Sequence, residues 1–332
     1  MKLLAVADTH FGFNLGRTAT ARKKTADAMF QSFKNIVHEA KRLKVDAIIH
    51  CGDVFNRSNP PDIEVKRVYR AIEDILDANI GFIVVPGNHD RAHLPESLYM
   101  HYSDNFHQFN KLGTFKFEGI NFIGFPFEYR NPKAVFNKAI EKIKSQPNQQ
   151  YFIMCHQLFY GAEFGPHRFR FTVQDDVIQP KNLPHNLLAV ISGHIHRAQV
   201  LGGGKVFYTG STERTDFVEA IEDKVMLYID TEKELFEYRN LETTPCYVHE
   251  LEISDKAINS FDLEGIIDPL ERTLIRFIGR PMTEEEITQL YIKFPAKEFP
   301  LLYFSPKRPF QELKALYGQE LWLRLPNISV VK

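Results

Sequence analysis

The sequence predicts an α/β fold of two mixed β-sheets flanked by helices, followed by a small α+β unit. Up to residue 85, short apolar runs alternate with longer amphipathic ones in the order βαβαβ, which calls for parallel strands with helices outside. From about residue 120 strands outnumber helices, and a two-sheet sandwich accommodates them better than one long doubly wound sheet. Near residue 245 the pattern changes again.

Residues 2–7 form an apolar run that reads as a buried strand. Residues 25–44 place Met29, Phe33, Ile36, Val37, Ala40 and Leu43 on one face of a helix. Residues 46–50 are the next strand. Residues 62–78 form a second helix, with Val65, Val68, Tyr69, Ile72, Ile75 and Leu76 inward, and 81–85 are a strand again. Later strands are expected at 120–125, 151–155, 187–191, 206–209 and 225–229. Between the first two of these, Asn131 as N-cap and Pro132 in the first turn open a helix to about residue 145. A linker at 241–245 separates a large domain, 1–243, from an accessory domain, 244–332. In the latter, Tyr247, His249, Leu251 and Ile253 alternate as in a strand, and Thr283 with Glu286 makes a capping box for a helix through Phe294. Residues 301–304 read as a strand and 321–332 as a strand or tail.

A chain of 332 residues exceeds what one core usually serves, in keeping with a large and a small unit. Its 44% hydrophobic and 25% charged residues exclude a disordered chain. The net charge of −1 excludes a general polyanion binder. Residues 1–44 nevertheless carry nine Lys or Arg against three acids, which suits a phosphate-rich substrate or, equally, a solvated helix face. Cys51, Cys155 and Cys246 are scattered in apolar surroundings without CxxC spacing. They read as core residues of a protein in a reducing compartment. There is no signal-peptide pattern and no apolar stretch near ~20 residues, so a cytoplasmic protein with no membrane span is expected.

The chemistry is concentrated just after strands, where an α/β sheet presents its carboxyl ends. Five elements end in Asp8-Thr9-His10, Gly52-Asp53, Gly87-Asn88-His89-Asp90, Cys155-His156 and Ser192-Gly193-His194-Ile195-His196. Residues spaced i, i+2 on an extended segment point the same way, so Asp8 and His10 can grip one ion and His194 and His196 can share a site. Carboxylates, imidazoles and one amide without thiolate suit Mn²⁺, Fe²⁺, Zn²⁺ or Mg²⁺ rather than a structural sulfur site. Two such ions ~3.5–4 Å apart can hold a phosphoryl group and a shared hydroxide for in-line attack. Glycine before Asp53, Asn88 and His194 allows a sharp turn and close approach. Any one of these residues could instead be a cap or a satisfied core group; the whole set in order is hard to produce by chance.

With these five motifs in order across roughly the first 200 residues, the chain resembles the calcineurin-like metallophosphoesterase superfamily. Within it, Gly52-Asp53-Val54-Phe55, residues 171–184 and Gly210-Ser211-Thr212-Glu213-Arg214-Thr215 are similar to the SbcD-type DNA-repair nucleases. The resemblance implies a four-layer sandwich with a capping domain. It implies that Asp8, His10, Asp53 and His196 hold one ion, that Asp53, Asn88, His156 and His194 hold the other, and that Asp53 bridges, with Mn²⁺ the expected metal. It also makes His89 the acid that protonates the leaving oxygen or stabilises the transition state, with Asp90 orienting its ring. Some relatives carry a second His where this chain has Asn56, which cannot shuttle protons but can hydrogen-bond a phosphate. Partners implied are DNA, an SbcC-like SMC-type ATPase, for which no docking segment is evident, and a second copy through helices near residues 62–78 or 106–112.

Arg17 beyond His10, Arg168 and Arg170 in the aromatic-rich segment 157–186, and Arg214 after a strand are candidate substrate contacts. The expected function is a Mn²⁺-dependent DNA exo/endonuclease. The alternatives are a phosphodiesterase acting on small molecules such as cyclic nucleotides, and a non-catalytic subunit that keeps the fold for binding.

Overall fold

A computed structural model describes residues 1–306 except 92, 101–103, 166–167, 173, 254–264, 266, 270 and 280–281. Strands β1 (Lys2–Val6), β2 (Ala47–Cys51), β3 (Gly81–Val85) and β4 (Phe106–Gln108) lie parallel side by side. Helices α1 (Ala19–Leu43) and α2 (Asp62–Leu76) make the first two crossovers. The chain then builds a second sheet from β5 (Gly113–Phe117), β6 (Ile120–Gly124), β7 (Tyr151–Cys155), β8 (Leu187–Ser192), β9 (Gln199–Leu201) and β10 (Val206–Tyr208), with helix α3 (Pro132–Lys144) between β6 and β7. Its order is β9-β10-β8-β7-β6-β5, with β9 and β5 antiparallel to their neighbours. Strands β11 (Val225–Asp230) and β12 (Leu235–Asn240) return to the first sheet, β11 antiparallel to β1. Both sheets are therefore mixed, with six strands each.

The two-residue period of a strand produces the layers. Leu4 and Val6 of β1, with Ile48 and Val84, face the helices and pack on Phe33, Ile36, Val68 and Ile72. The intervening Leu3 and Ala5, with Ile49 and Ile83, face the second sheet and meet Phe122, Phe152, Met154 and Ile191. The far side of the second sheet buries Ile123, Ile153 and Val190 against Phe136, Ile140 and Ile143 of α3. Strands covered on both faces are largely apolar, and β2, β3 and β7 are buried along their whole length, with His50 of β2 hydrogen-bonded to Thr9 Oγ1 at 3.1 Å. Cys51 and Cys155 are among the residues so buried, and Cys246 is buried too.

Helix α1 begins at Ala19 rather than at residue 25, because the Thr18 side chain accepts from Ala21 N at 3.1 Å and caps an earlier turn. Thr25 then lies inside the helix, its hydroxyl donating to Leu15 O at 2.6 Å. Asn131 does cap α3, accepting from Ala134 N. Strands β4, β5 and β12 are not foreseen in the sequence: they are partly exposed and show no apolar run. The stretch near residue 106, expected to be helical, is strand β4.

Beyond residue 245, β13 (Cys246–Ile253), β14 (Arg272–Gly279) and β15 (Leu302–Pro306) form a parallel sheet in that order. Helix α4 (Glu284–Lys293) starts at the Thr283–Glu286 capping box and packs on a core of Ile275, Phe277, Leu290, Phe294, Leu302 and Phe304. Arg17 joins this sheet to the sandwich: its guanidinium donates to Phe294 O at 2.9 Å and Phe299 O at 3.1 Å and lies 4.6 Å from the Tyr291 ring centroid. Residues 321–332, expected as a strand or tail, lie outside the described residues. Among the described residues no helix is long and apolar enough to cross a membrane.

Phe122 is fully buried between the sheets with its ring 5.6 Å from that of Phe152. Phe122→Ala should therefore lower unfolding free energy by about 3–5 kcal/mol, read from the midpoint of a urea titration at constant slope.

Candidate metal centre

The carboxyl ends of five parallel strands converge on one point. β1 delivers Asp8 and His10, β2 Asp53, β3 Asn88, β7 His156, and β8 His194 and His196. The backbone bends sharply to do so: Asp8, His10, Asp53 and His194 sit at φ of 53°, 44°, 52° and 84°. Positive φ in non-glycine residues costs about 1–3 kcal/mol each and persists where surrounding contacts enforce it. Here Asp8 N donates to Gly52 O at 2.9 Å and His10 N to Asp53 O at 3.1 Å. The glycines serve close packing against side chains. At Gly52, φ is 97° and a Cβ would overlap the His156 ring; at Gly87 a Cβ would overlap the Asp53 carboxylate.

The distances sort the expected ligands into two groups. In one, His10 Nε2 lies 3.1 Å from His196 Nε2 and 4.0 Å from Asp8 Oδ1, which is 3.9 Å from His196 Nε2. In the other, Asn88 Oδ1 lies 3.1 Å from His156 Nε2 and 2.8 Å from His194 Nδ1. Asp53 Oδ2 stands between them, 3.3 Å from His156 Nε2 and 3.8 Å from His10 Nε2. Asp8 also reaches across, 3.8 Å from His156 Nε2. His194 and His196 thus fall into different groups, contrary to the pairing expected from their i, i+2 spacing. Both residues lie beyond the end of β8, where the chain has left the strand and a period of two no longer sets the side-chain direction.

Asp8, Asp53, His10 and His156 are almost wholly buried. Burial raises the Asp8 carboxyl to about 6, although His156 and His196 oppose it. It drives the His10 imidazole down to about 3. At Asp53 burial would raise the carboxyl, but the imidazoles of His156, His10 and His89 prevail and hold it well below the usual range. At His156 burial is outweighed by Asp53 and Asp8, and at His196 by Glu219; both imidazoles rise to about 9. Protons on imidazoles therefore balance the buried carboxylates, a charge that divalent cations would supply instead. Three groups, Asp8–His10–His196, His10–Asp53–His89 and Asp8–Asp53–His156, have ligand atoms within 4.8 Å of one another, and this oxygen–nitrogen donor set fits such cations.

His89 is half exposed at the rim. Its Nε2 is 4.0 Å from Asp53 Oδ2, and its Nδ1 meets the Asn56 carbonyl oxygen at 2.9 Å. Asn56 thus acts on this ring through its backbone rather than its amide. Asp90 does not orient the His89 ring as expected. Its buried carboxylate accepts from Gly87 N at 2.9 Å, Phe55 N at 2.9 Å and Val54 N at 3.1 Å, which locks the Asn88 loop to the Asp53 loop. Burial and the Asp53 charge push Asp90 up to about 7.

Two expected substrate arginines are otherwise engaged. Arg17 docks the C-terminal sheet. Arg214 spends its guanidinium on Glu219 O, Glu222 O, Thr243 Oγ1 and Thr244 O. Arg170 pairs with Glu163 at 2.7 Å, and it and Arg168 are exposed in the 157–186 segment.

Sequence reading missed Glu219. Its carboxylate accepts from Thr215 N, Thr215 Oγ1 and Asp216 N, lies 2.9 Å from His196 Nδ1, and is bound from beneath by buried Lys224 at 2.5 Å. The signal was the Asp216-x-x-Glu219 capping box, which marks a turn but not a metal ligand's support. Also missed were the rings of Phe127 and Tyr129 beside Asn88 and His194; the Tyr129 hydroxyl donates to Asn88 O at 3.0 Å.

A family model for the calcineurin-like phosphoesterases matches residues 1–198. The DNA double-strand break repair protein Mre11 of Methanosarcina mazei is 26% identical over 234 residues, covering 66% of this chain and 34% of that protein. Mre11 of Sulfolobus acidocaldarius is 25% identical over 233 residues, covering 67% and 57%. The chain spans between 34% and 60% of the length of such curated relatives. Among solved structures, TT1561 of Thermus thermophilus aligns with a TM-score of 0.45 at 12% identity, covering 73% of this chain and 99% of that one.

Two outcomes are expected of cation titrations. His156 and His196, raised to about 9, must shed protons to become ligands, so affinity for Mn²⁺ should climb as pH rises from 6 to 9. Calorimetry in buffers of different ionisation enthalpy should register the protons released. Glu219→Gln removes the charge that orients His196 and should weaken one class of cation site about 10–100-fold, the other staying within about twofold.

Proposed function

Since the chain belongs to the calcineurin-like phosphoesterase family, we propose that it is a Mn²⁺-dependent phosphodiesterase of the SbcD type that cleaves DNA. The observation that carries this reading is the position of the Asp53 carboxylate between His10 and His156, with half-exposed His89 alongside. In this reading Asp8, His10, Asp53 and His196 hold one cation, and Asp53, Asn88, His156 and His194 the other. Bound there, two divalent cations supply Lewis acidity that activates water and neutralises charge on the phosphoryl oxygens.

The remaining work falls to side chains of this chain. Nδ1 of His89 donates to the Asn56 carbonyl, which leaves Nε2 as the nitrogen facing the substrate. A proton held there is delivered to the leaving oxygen, the role expected of a rim acid beside a buried ligand cluster. Asp90 keeps the Asn88 and Asp53 loops in register, and Asp53 Oδ1 accepts from His89 N at 2.8 Å, which ties the backbone of the acid to the central carboxylate. DNA as substrate is supported by the relatives, which are named for DNA double-strand break repair. The basic residues on the exposed face of α1 supply charge for a phosphate backbone.

Purified protein with Mn²⁺ should degrade linear DNA and also turn over a small phosphodiester. His89→Ala should lose at least about a hundredfold in kcat while keeping its cations by calorimetry. Asp53→Ala should bind neither cation tightly. DNA left intact by parent protein that does hydrolyse the small ester would rule out the nuclease reading, and unchanged turnover in His89→Ala would remove the role given to that residue.

A further inference from the structure

We infer, on the reading of the chain as a phosphodiesterase, that the cavity beside the metal centre is a nucleobase pocket, holding the base of the nucleotide under attack out of the stack. The cavity encloses about 700 Å³, within the range of small-molecule sites, and Asn88, His89, His194 and His196 form part of its wall. Whatever occupies it therefore continues from the group bound at the ligands.

Among the described residues, the phenyl and phenol rings of Phe127, Tyr129, Phe164 and Phe171 line it. The Phe164 and Phe171 rings stack with centroids 5.1 Å apart, and Phe127 meets Tyr129 edge-on at 4.7 Å. The Phe127 ring also lies 5.3 Å from that of His194, which ties the aromatic wall to the ligand cluster. Tyr129 is 57% exposed, although its hydroxyl is anchored on Asn88 O. Ring surface left open beside a charged centre is a place for a flat aromatic ligand.

The polar lining narrows the class of ligand. Among the described lining residues the one Arg or Lys is Arg197, and its Nε donates to Glu222 at 2.9 Å. Asp216 brings an exposed carboxylate, while those of Glu219 and Glu222 are bound by Lys224 and Arg197. A second phosphate would meet acids there, whereas a neutral base can stack on rings and donate exocyclic N–H groups to carboxylates. The pocket thus accepts a nucleotide that has left its duplex, and the strand's charged backbone stays outside it. The same chemistry serves a terminal nucleotide of DNA and a free nucleotide ester.

Two esters with one leaving group separate these ideas: thymidine 5′-(p-nitrophenyl phosphate) and methyl p-nitrophenyl phosphate, each with the full chain and Mn²⁺. A stacked base is worth about five- to hundredfold in binding, so the parent should favour the nucleoside ester at least tenfold in kcat/KM, mostly through KM. Replacing both Phe164 and Phe171 with Leu keeps apolar volume but removes the ring faces, and should cut that ratio at least fivefold. The same change should abolish the fluorescence quenching of 2-aminopurine deoxyriboside monophosphate on binding. Equal kcat/KM for both esters in the parent, or a ratio unmoved in the variant, overturns the base pocket and leaves the phosphodiesterase standing. A larger gain with an octyl ester assigns the cavity to an alkyl chain and also overturns it. Failure to hydrolyse either ester removes the phosphodiesterase reading, and the pocket with it.

Discussion

One hydrogen bond, 2.7 Å between His156 Nδ1 and the carbonyl oxygen of Cys51, ties the second sheet to the first where the ligand side chains converge. A carbonyl can only accept, so Nδ1 carries the proton and Nε2 is turned toward Asp53 and Asn88. The His156 ring is fully buried, and the neighbouring strand end can approach it only because residue 52 lacks a Cβ. With that ring fixed, Asp53 is set by His156 on one side and His10 on the other. The Asp90 carboxylate then holds the remaining loop through three backbone donors. The sandwich can be read as the scaffold that makes this contact between sheets unavoidable.

The ligand cluster concentrates backbone strain and buried charge. It holds left-handed non-glycine residues at four ligand positions and two buried carboxylates within reach of the same imidazole. Such features survive only where the surroundings over-determine them. Beneath the cluster the apolar clusters on both faces of each sheet do this, through residues such as Ile49, Ile83, Met154 and Ile191. Function and stability therefore divide along each strand: branched apolar residues in the body, strained polar ones just past the carboxyl end.

Much of this was legible in the sequence because the relevant signals are local. Apolar runs 2–7, 81–85 and 151–155 lie on strands, and each is followed by metal-ligand residue types. The Asn131-Pro132 start of α3 and the Thr283–Glu286 box of α4 are capping chemistry, readable from neighbours in the chain. What escaped depends on distant contacts. Strand β12 has little apolar content because it sits at a sheet edge. Glu219 becomes informative only once folding brings it to His196, and Arg214 looked like a phosphate contact until four oxygen partners claimed its guanidinium. Spacing misled at His194 and His196, which lie past the end of β8 where the two-residue period of a strand no longer holds.

Arg17 was expected to face substrate and instead grips the carbonyls of Phe294 and Phe299, while its own N–H donates to Pro300 O at 2.9 Å. Six residues intervene along the chain between this anchor and His10, whose imidazole lies in the ligand cluster. The C-terminal sheet is thus moored to the very loop that leaves the metal centre. Any displacement at the carboxyl end of α4 would be separated from a ring of the ligand cluster by only those few peptide links.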